Sequence, residues 1–354
     1  MFVAWRDLVF AKGRFALMAS VIVLITLLVG LLSGLTAGLG AQNISAVTDL
    51  PADRIVFGGG GELSYADSDI TETQWRRWAA TPGVTSAEPL GITTTRATAR
   101  DHSAGISVFG VRPGSTLAPD SDRLTEHAAV LSAPAAADLA IRAGDTVTLA
   151  GRTLTVAAVT GESYFSHTPV LWTTLDVWRA TAPPSDAAAT VLALTTANAD
   201  ISATDRAAGT STVTKSDSLS AIGSYASENA SLQVMRGFLF AISALVVGAF
   251  FTVWTIQRAG DIAVLKALGA STTWLLRDAL GQAAIVLVGG TLLGAGLAVA
   301  VGALFADTAV PFVLTPATVL GPAALMILLG AVGAALAVRR VTSVDPLTAL
   351  GSTR

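Results

Sequence analysis

The chain has 354 residues, of which 52% are hydrophobic and 13% are charged, and its mean hydropathy is +0.62. This composition is that of an integral membrane protein. The sequence contains no cysteine, which excludes disulfides and iron–sulfur clusters.

Four segments contain no Asp, Glu, Lys or Arg and are long enough to cross a bilayer, since a span needs about 20 mostly apolar residues. They cover residues 15–48, 237–257, 279–306 and 308–338. The first segment is too long for a signal peptide and ends in no clear cleavage site, so we interpret it as an uncleaved span.

Short basic segments flank these spans, and all of them fall on one side of the membrane if there are four spans. That side is predicted to be cytoplasmic. The protein is then a multi-pass protein of the plasma membrane, with both termini in the cytoplasm and residues 42–228 outside the cell. Residues 42–228 carry 12 Lys and Arg against 20 Asp and Glu, a net charge of −8, whereas the remainder carries 10 against 5, a net of +5. This asymmetry agrees with the topology and argues against a nucleic-acid partner.

The predicted fold class is a membrane α-helical protein with four transmembrane helices and an inserted α+β extracytoplasmic domain. The predicted segments are an amphipathic helix at the lipid interface at 1–14, transmembrane helices at 15–41, 229–257, 273–306 and 312–338, the extracytoplasmic domain at 42–228, a cytoplasmic helix at 258–272 and a cytoplasmic tail at 339–354.

A stripe of glycines recurs every four residues in the first span, at Gly30, Gly34 and Gly38. Small residues at this spacing allow two membrane helices to approach closely. The pattern fits either packing between two protomers, which we predict, or packing within one chain.

The extracytoplasmic segment alternates short β-prone runs with turn signals. Strands are predicted in RIVFGGGGE, AGISVFGVRPGS and TPVLWTTLDVWRAT, a hairpin in GDTVTLAGRTLTVAAVTG, and helices in SAPAAADLAI and TETQWRRWAAT. The last of these helices is predicted to be capped by Thr71 or Thr73. Residues 181–216 favour neither helix nor strand.

The sequence has none of the motifs that would indicate catalysis by this chain. It lacks a Walker A sequence (G-x-x-x-x-G-K-S/T), H-E-x-x-H and G-x-S-x-G. It has only three histidines, His102, His127 and His167, so a zinc site would need carboxylates as well. We therefore predict no enzymatic activity, no resident metal and no intrinsic cofactor.

The segment RAGDIAVLKALGAST, residues 258–272, places three charges between two apolar spans. On a helical wheel Asp261 falls inside the apolar arc, which suits a groove on another protein better than a lipid surface. Gly269 is predicted to end this helix, and Ser271 or Thr272 to cap the next one. The alternative is a solvated connector.

The same segment resembles the signature of ABC-transporter permeases of the FtsX/MacB type, R-x-x-E-I/L-A/G-V/L-L/M-K/R-A-L/I-G-A-S/T, with Asp261 in place of the usual Glu. The end of the chain, RRVTSVDPLTALGSTR, resembles the closing motif of that family at Asp345 and Pro346. The segment LSAPAAADLAIRAGDTVTLAGRTLTVAAVTGESYF resembles its extracytoplasmic core. The resemblance covers the whole chain, including the order of one span, a large outer domain and three spans.

This resemblance implies a MacB-like (type VII ABC) architecture, a homodimer of permeases, and a separate ATPase subunit that carries ATP and Mg²⁺. It also implies that 258–272 is a coupling helix that enters a cleft in the ATPase. The residues it assigns to ATPase coupling are Arg258, Asp261, Leu265, Lys266, Leu268 and Gly269.

Within the family, the N-terminal half resembles the HrtB subgroup of haem-exporter permeases, which implies haem as the cargo and an HrtA-like ATPase. The alternatives are export of another amphipathic cargo, such as a peptide or antibiotic, and a non-transporting regulator of an external hydrolase or a sensor kinase. A regulator would need a broad partner-binding surface on the outer domain, whereas a transporter would need a ligand-sized cavity.

Haem requires an oxygen, nitrogen or sulfur ligand to iron, an apolar slot and a cation for its propionates. The candidate haem-binding residues lie near the outer membrane edge and are Tyr164, His167, Tyr225, Glu228, Met235 and Arg236. All of them except Glu228 also fit a structural role, and Tyr164 and His167 could simply pack or bond within the outer domain. Tyr225 suits an interfacial aromatic belt, Arg236 a snorkelling anchor that contacts membrane lipid, and Met235 a packed position.

Overall fold

The computed structural model describes residues 12–59, 61–223, 225–257, 260, 264, 269–305, 308 and 310–342. The chain divides into two compact units, the inserted unit Leu39–Ala230 and the membrane unit formed by Met1–Gly38 and Ser231–Arg354. The predicted helix at 1–14, most of the coupling segment and the closing motif at Asp345 and Pro346 lie outside the described residues.

The described elements follow one another along the chain from one membrane helix through the inserted unit to three further membrane helices. In order they are α1 (Lys12–Thr48), β1 (Arg54–Gly58), α2 (Glu72–Ala79), β2 (Val84–Ala99), β3 (His102–Val111), β4 (Ala128–Leu131), α3 (Ala133–Asp138), β5 (Thr146–Leu149), β6 (Arg152–Val159), β7 (Tyr164–Phe165), β8 (Thr168–Thr174), α4 (Leu175–Thr181), β9 (Val191–Thr196), α5 (Ile201–Ala208), β10 (Thr210–Thr214), α6 (Lys215–Ser218), α7 (Tyr225–Gln257), α8 (Thr272–Ala303) and α9 (Pro316–Thr342).

Four helices, α1, α7, α8 and α9, are long and apolar enough to cross a membrane. Their apolar side chains point both inward and outward, and large ones such as Leu245 and Leu292 are exposed, as expected for faces that contact lipid. The prediction of four transmembrane helices with an inserted domain is thereby confirmed. Helix α1 continues past residue 41 to Thr48, so its last turns belong to the inserted unit.

The glycine stripe of α1 packs against residues of the same chain. A Cβ atom on Gly30 would lie 2.8 Å from Cβ of Ala298 in α8, and one on Gly34 would overlap the ring of Phe312. A Cβ on Gly38 would lie 2.0 Å from the carbonyl oxygen of Pro311. Within the chain, these glycines therefore face α8 and the α8–α9 connection, and their predicted role in packing two protomers stays a prediction.

The strands of the inserted unit form one hydrogen-bonded sheet that runs through the long strand β2. The first half of β2 joins β9, β1 and β10, all antiparallel. Its second half begins the series β3, β8, β4, β6 and β5, and β5 pairs back onto β2 so that this part closes on itself. Sequence patterns missed β2, and the ambiguous 181–216 region contains β9, α5 and β10.

Two hydrophobic cores pack on opposite faces of the closed part of the sheet. One contains Phe109 and Phe165, and the other contains Trp178 of α4. Trp178 lies flat on the sheet because Gly91 and Gly110 face it, and a Cβ on either glycine would approach the Trp178 side chain to 2.4 Å or less.

Helix α2 begins with a capping box. Thr71 Oγ1 accepts a hydrogen bond from the Gln74 N–H at 3.3 Å, and the Gln74 side chain accepts one from the Thr71 N–H at 2.9 Å. Of the two predicted caps, Thr71 is therefore the one used.

We expect Thr71→Ala to destabilise α2 by about 1 kcal/mol, because loss of an N-cap leaves an amide of the first turn without its acceptor. The matched control is Thr73→Ala, which removes an exposed threonine inside the same helix. Amide hydrogen exchange of α2 in the full-length protein measures both. Equal acceleration of exchange in the two variants would show that the cap contributes nothing specific.

Candidate functional site

The hairpin formed by β7 and β8 contacts the last turns of α1 through its turn residues. Ser166 and His167 have φ values of 49° and 62°, and this pair of positive values is typical of a two-residue type I′ turn. The Ser166 N–H donates to the carbonyl oxygen of Asn43 at 2.9 Å, and the His167 N–H donates to that of Gln42 at 3.0 Å. The turn is thus held against α1 by backbone hydrogen bonds.

The imidazole of His167 meets the carboxylate of Glu228 in the first turn of α7. The distance from His167 Nε2 to Glu228 Oε2 is 2.9 Å. An ionised carboxylate only accepts hydrogen bonds, so the proton of a neutral imidazole lies on Nε2 and Nδ1 keeps a lone pair. The His167 and Glu228 side chains are 37% and 42% exposed, so the pair lies at the surface of the inserted unit.

Asn43 of α1 completes this cluster, and the sequence analysis missed it. Its Nδ2 donates to Glu228 Oε2 at 2.9 Å and lies 3.2 Å from His167 Nε2. Asn43 is only 1% exposed, and its Oδ1 has no hydrogen-bond partner among the described residues. The available signal was the polar side chain itself, because a buried amide near the end of an apolar span needs a partner.

Tyr164 lies beside the cluster, at the start of β7. Its backbone N–H donates to Ser45 Oγ of α1 at 2.9 Å. Burial raises the pKa of the Tyr164 phenol, as do the nearby carboxylates of Asp138 and Glu162, whereas a hydrogen bond with Gln42 lowers it. The net direction is upward, so loss of the phenol proton is disfavoured.

The other predicted site residues lie along α7. Tyr225 begins the helix and packs, partly buried, against the hydrophobic core of the inserted unit. Met235 and Arg236 belong to the membrane unit, where Met235 is 50% exposed and Nε of Arg236 is buried without a hydrogen-bond partner in the described part of the chain. Binding of haem by these residues stays a prediction.

Of the predicted coupling segment, the structure describes residues 260, 264 and 269–272. Gly269 has a φ of +92°, the left-handed value typical of a residue that ends a helix. Ser271 Oγ accepts from the Trp274 N–H at 3.3 Å and caps α8, as predicted. Arg258, Asp261, Leu265, Lys266 and Leu268 lie outside the described residues.

Comparison with protein families gives two matches that together cover most of the chain. Residues 15–211 match the MacB-like periplasmic core domain, and residues 234–346 match the FtsX-like permease C-terminal family. The first match alone extends over more than half of the 354 residues.

Individual relatives agree with these matches. A protein of Staphylococcus haemolyticus named as a hemin transport system permease, HrtB, is 26% identical over 99% of both chains. A protein of the same name from Staphylococcus epidermidis is 31% identical over 40% of this chain and 41% of its own. Among solved structures, the extracellular domain of the ABC-type transporter YknZ from Gram-positive bacteria covers 46% of this chain and 98% of its own, at 16% identity and a TM-score of 0.35.

Proposed function

Because this chain belongs to the FtsX/MacB family of ABC-transporter permeases, we propose that it is the permease subunit of an exporter that expels haem from the membrane. A separate, HrtA-like ATPase subunit would supply the energy. The observation that carries the choice of haem is the end-to-end similarity to a protein named as a hemin transport permease.

The geometry of the inserted unit supports this cargo. His167 offers Nδ1 as a nitrogen ligand, and Glu228 orients the ring by accepting from Nε2, as carboxylates commonly do for metal-binding histidines. Asn43 in turn holds the carboxylate. Tyr225 lies one helical turn before Glu228 and offers an aromatic surface for the porphyrin.

The proposed transport cycle assigns the remaining predicted residues. Two permeases and two ATPases assemble with the termini of the permease in the cytoplasm and the inserted unit outside. ATP binding moves the coupling helix, where Asp261 and Lys266 contact the ATPase, and the helices transmit this movement to the outer end of the membrane unit. Haem taken from the outer leaflet is then released outside the cell.

A haem titration of the full-length protein in lipid nanodiscs tests the proposal through the Soret absorption band. We expect saturable binding that His167→Gln and Glu228→Gln weaken about 10-fold or more, the usual effect of losing a metal ligand or the group that orients it. His127→Gln is the matched control, because His127 is an exposed histidine elsewhere in the inserted unit. Tyr164→Phe and Tyr225→Phe test the two tyrosines.

The possible outcomes test separately whether haem is the cargo and which residues bind it. Equal haem binding by all variants would support haem as the cargo but would exclude His167 and Glu228 from its binding site. A phenolate charge-transfer band lost in Tyr164→Phe would show that the tyrosine, not His167, ligates the iron. An absence of binding above that of empty nanodiscs excludes haem and leaves a permease for another amphipathic cargo or a transmembrane regulator.

A further inference from the structure

Strand β2 has an open stretch along one edge. On that edge β9 pairs with β2 up to Leu90, and β5 pairs with it from Ala97 onward. Between them, both backbone groups of Ile92 bond to the hydroxyl of Thr190, its N–H at 2.8 Å and its carbonyl at 3.1 Å. Backbone groups alternate sides along a strand, so Thr94 presents its N–H and C=O to the same edge, where no described strand pairs with it.

A cleft of about 410 Å³ lies along this opening. Ile92 and Phe165, which line it, belong to the core on one face of the sheet, whereas Trp178, which also lines it, belongs to the core on the other face. A cleft lined from both faces of a sheet must pass around the sheet's edge. The cleft therefore coincides with the unpaired stretch at Thr94.

Trp178, one of the residues that line the cleft, carries an unpaired hydrogen-bond donor. The side chain is 3% exposed and is fixed against Gly91 and Gly110, and its indole Nε1–H has no hydrogen-bond partner among the residues that the structure describes. A buried donor left unpaired is destabilising, and a carbonyl from a ligand in the cleft would satisfy it.

The charge of the cleft selects among ligands. Exposed Asp69 lies in its lining together with the hydroxyl groups of Ser68, Thr93 and Ser185, and the described lining residues include no Lys, Arg or His. The inserted segment 42–228 also has a net charge of −8. An anionic ligand is disfavoured here, and a basic one is favoured.

We propose that this cleft binds an extended peptide segment with a basic side chain, supplied by a partner protein. The peptide would add a short strand along β2 and exchange backbone hydrogen bonds with Thr94. One of its carbonyls would accept a hydrogen bond from the Trp178 indole N–H, and its cation would lie near Asp69. The site is separate from the haem cluster. Phe165 and Ser166 line the cleft, however, and precede His167 directly, so the peptide would contact the hairpin that carries that histidine.

The test uses the full-length protein in nanodiscs and a pooled library of five-residue peptides with Lys at positions 2 and 4 and mixed residues elsewhere. A second pool has Glu at these positions. We expect the Lys pool to slow hydrogen exchange at the Thr94 amide and the Glu pool to leave it unchanged. Trp178→Phe should weaken binding about 5- to 10-fold through loss of one hydrogen bond, and Asp69→Asn should reduce the preference for Lys.

The matched control is Trp75→Phe, which also removes an indole N–H. That N–H donates to the Ala87 carbonyl at a distance of 2.9 Å, and Trp75 does not line the cleft. This variant should bind the Lys pool normally. The proposal is overturned if the Lys pool does not protect Thr94, if both pools protect it equally, or if Trp178→Phe and Trp75→Phe behave alike. Haem titration of Trp178→Phe and Asp69→Asn should match the wild type, so failure here is distinguishable from failure of the haem proposal.

Discussion

Replacing Gly38 by alanine is expected to destabilise the protein by about 3 kcal/mol or more, at the upper end of the cost of overpacking. A Cβ atom at this position would lie 2.0 Å from the carbonyl oxygen of Pro311 and 2.4 Å from its carbonyl carbon. Because these are backbone atoms, they cannot turn away as a flexible side chain would. The Val313 N–H also donates to the Gly34 carbonyl at 3.1 Å, so the clash would disturb a segment already bonded to α1.

The matched control is Gly40→Ala in the same helix, where a Cβ meets nothing within 4 Å. Alanine is a better helix former than glycine, so this variant should be neutral or slightly stabilising. Thermal unfolding in nanodiscs compares the two variants. If Gly38→Ala keeps its melting temperature but its dimers dissociate in native mass spectrometry, the glycine stripe packs two protomers together. The contact with Pro311 is then not what requires glycine at position 38.

Replacing Lys215 by methionine is expected to destabilise the inserted unit by about 2 kcal/mol. The Lys215 ammonium donates to the carbonyl oxygens of Thr48 and Leu50, both at 2.8 Å, where α1 ends. The last turn of α1 has no basic residue of its own, so Lys215 supplies the positive charge that the end of a helix favours. A hydrogen bond to a charged group contributes about 1.5–3 kcal/mol, reduced here because the side chain is partly solvated.

Lys215→Arg is the control, because it keeps the positive charge and the donors and should lose less than half as much stability. Hydrogen exchange across residues 45–53 in the full-length protein reports on the end of α1 directly. We expect Lys215→Met to accelerate exchange there, since α1 enters the inserted unit at this point. Unchanged exchange in Lys215→Met would show that other contacts hold the helix end.

The sequence by itself determined the features that depend on local chemistry. Apolar runs of sufficient length identify the four spans, because an unpaired backbone cannot remain in lipid. The cap at Thr71, the β5–β6 hairpin and the cap at Ser271 follow from residues within a few positions of one another. The family signature in 258–272 is local in the same sense.

The tertiary structure decided the contacts between residues that are distant in the chain. His167 and Glu228 were both candidates, but their contact spans 61 positions, and Asn43 joins them from 124 positions before His167. The glycine stripe has a local pattern that fits packing within one chain and packing between protomers, and only the tertiary structure shows that Pro311 and Phe312 contact it within the chain. The open edge at Thr94 arises because β9 pairs with β2 only as far as Leu90 and β5 pairs with it only from Ala97. No local sequence pattern records this gap. Local periodicity specifies which face of an element is apolar, whereas the partner of that face is set by how all the elements pack together.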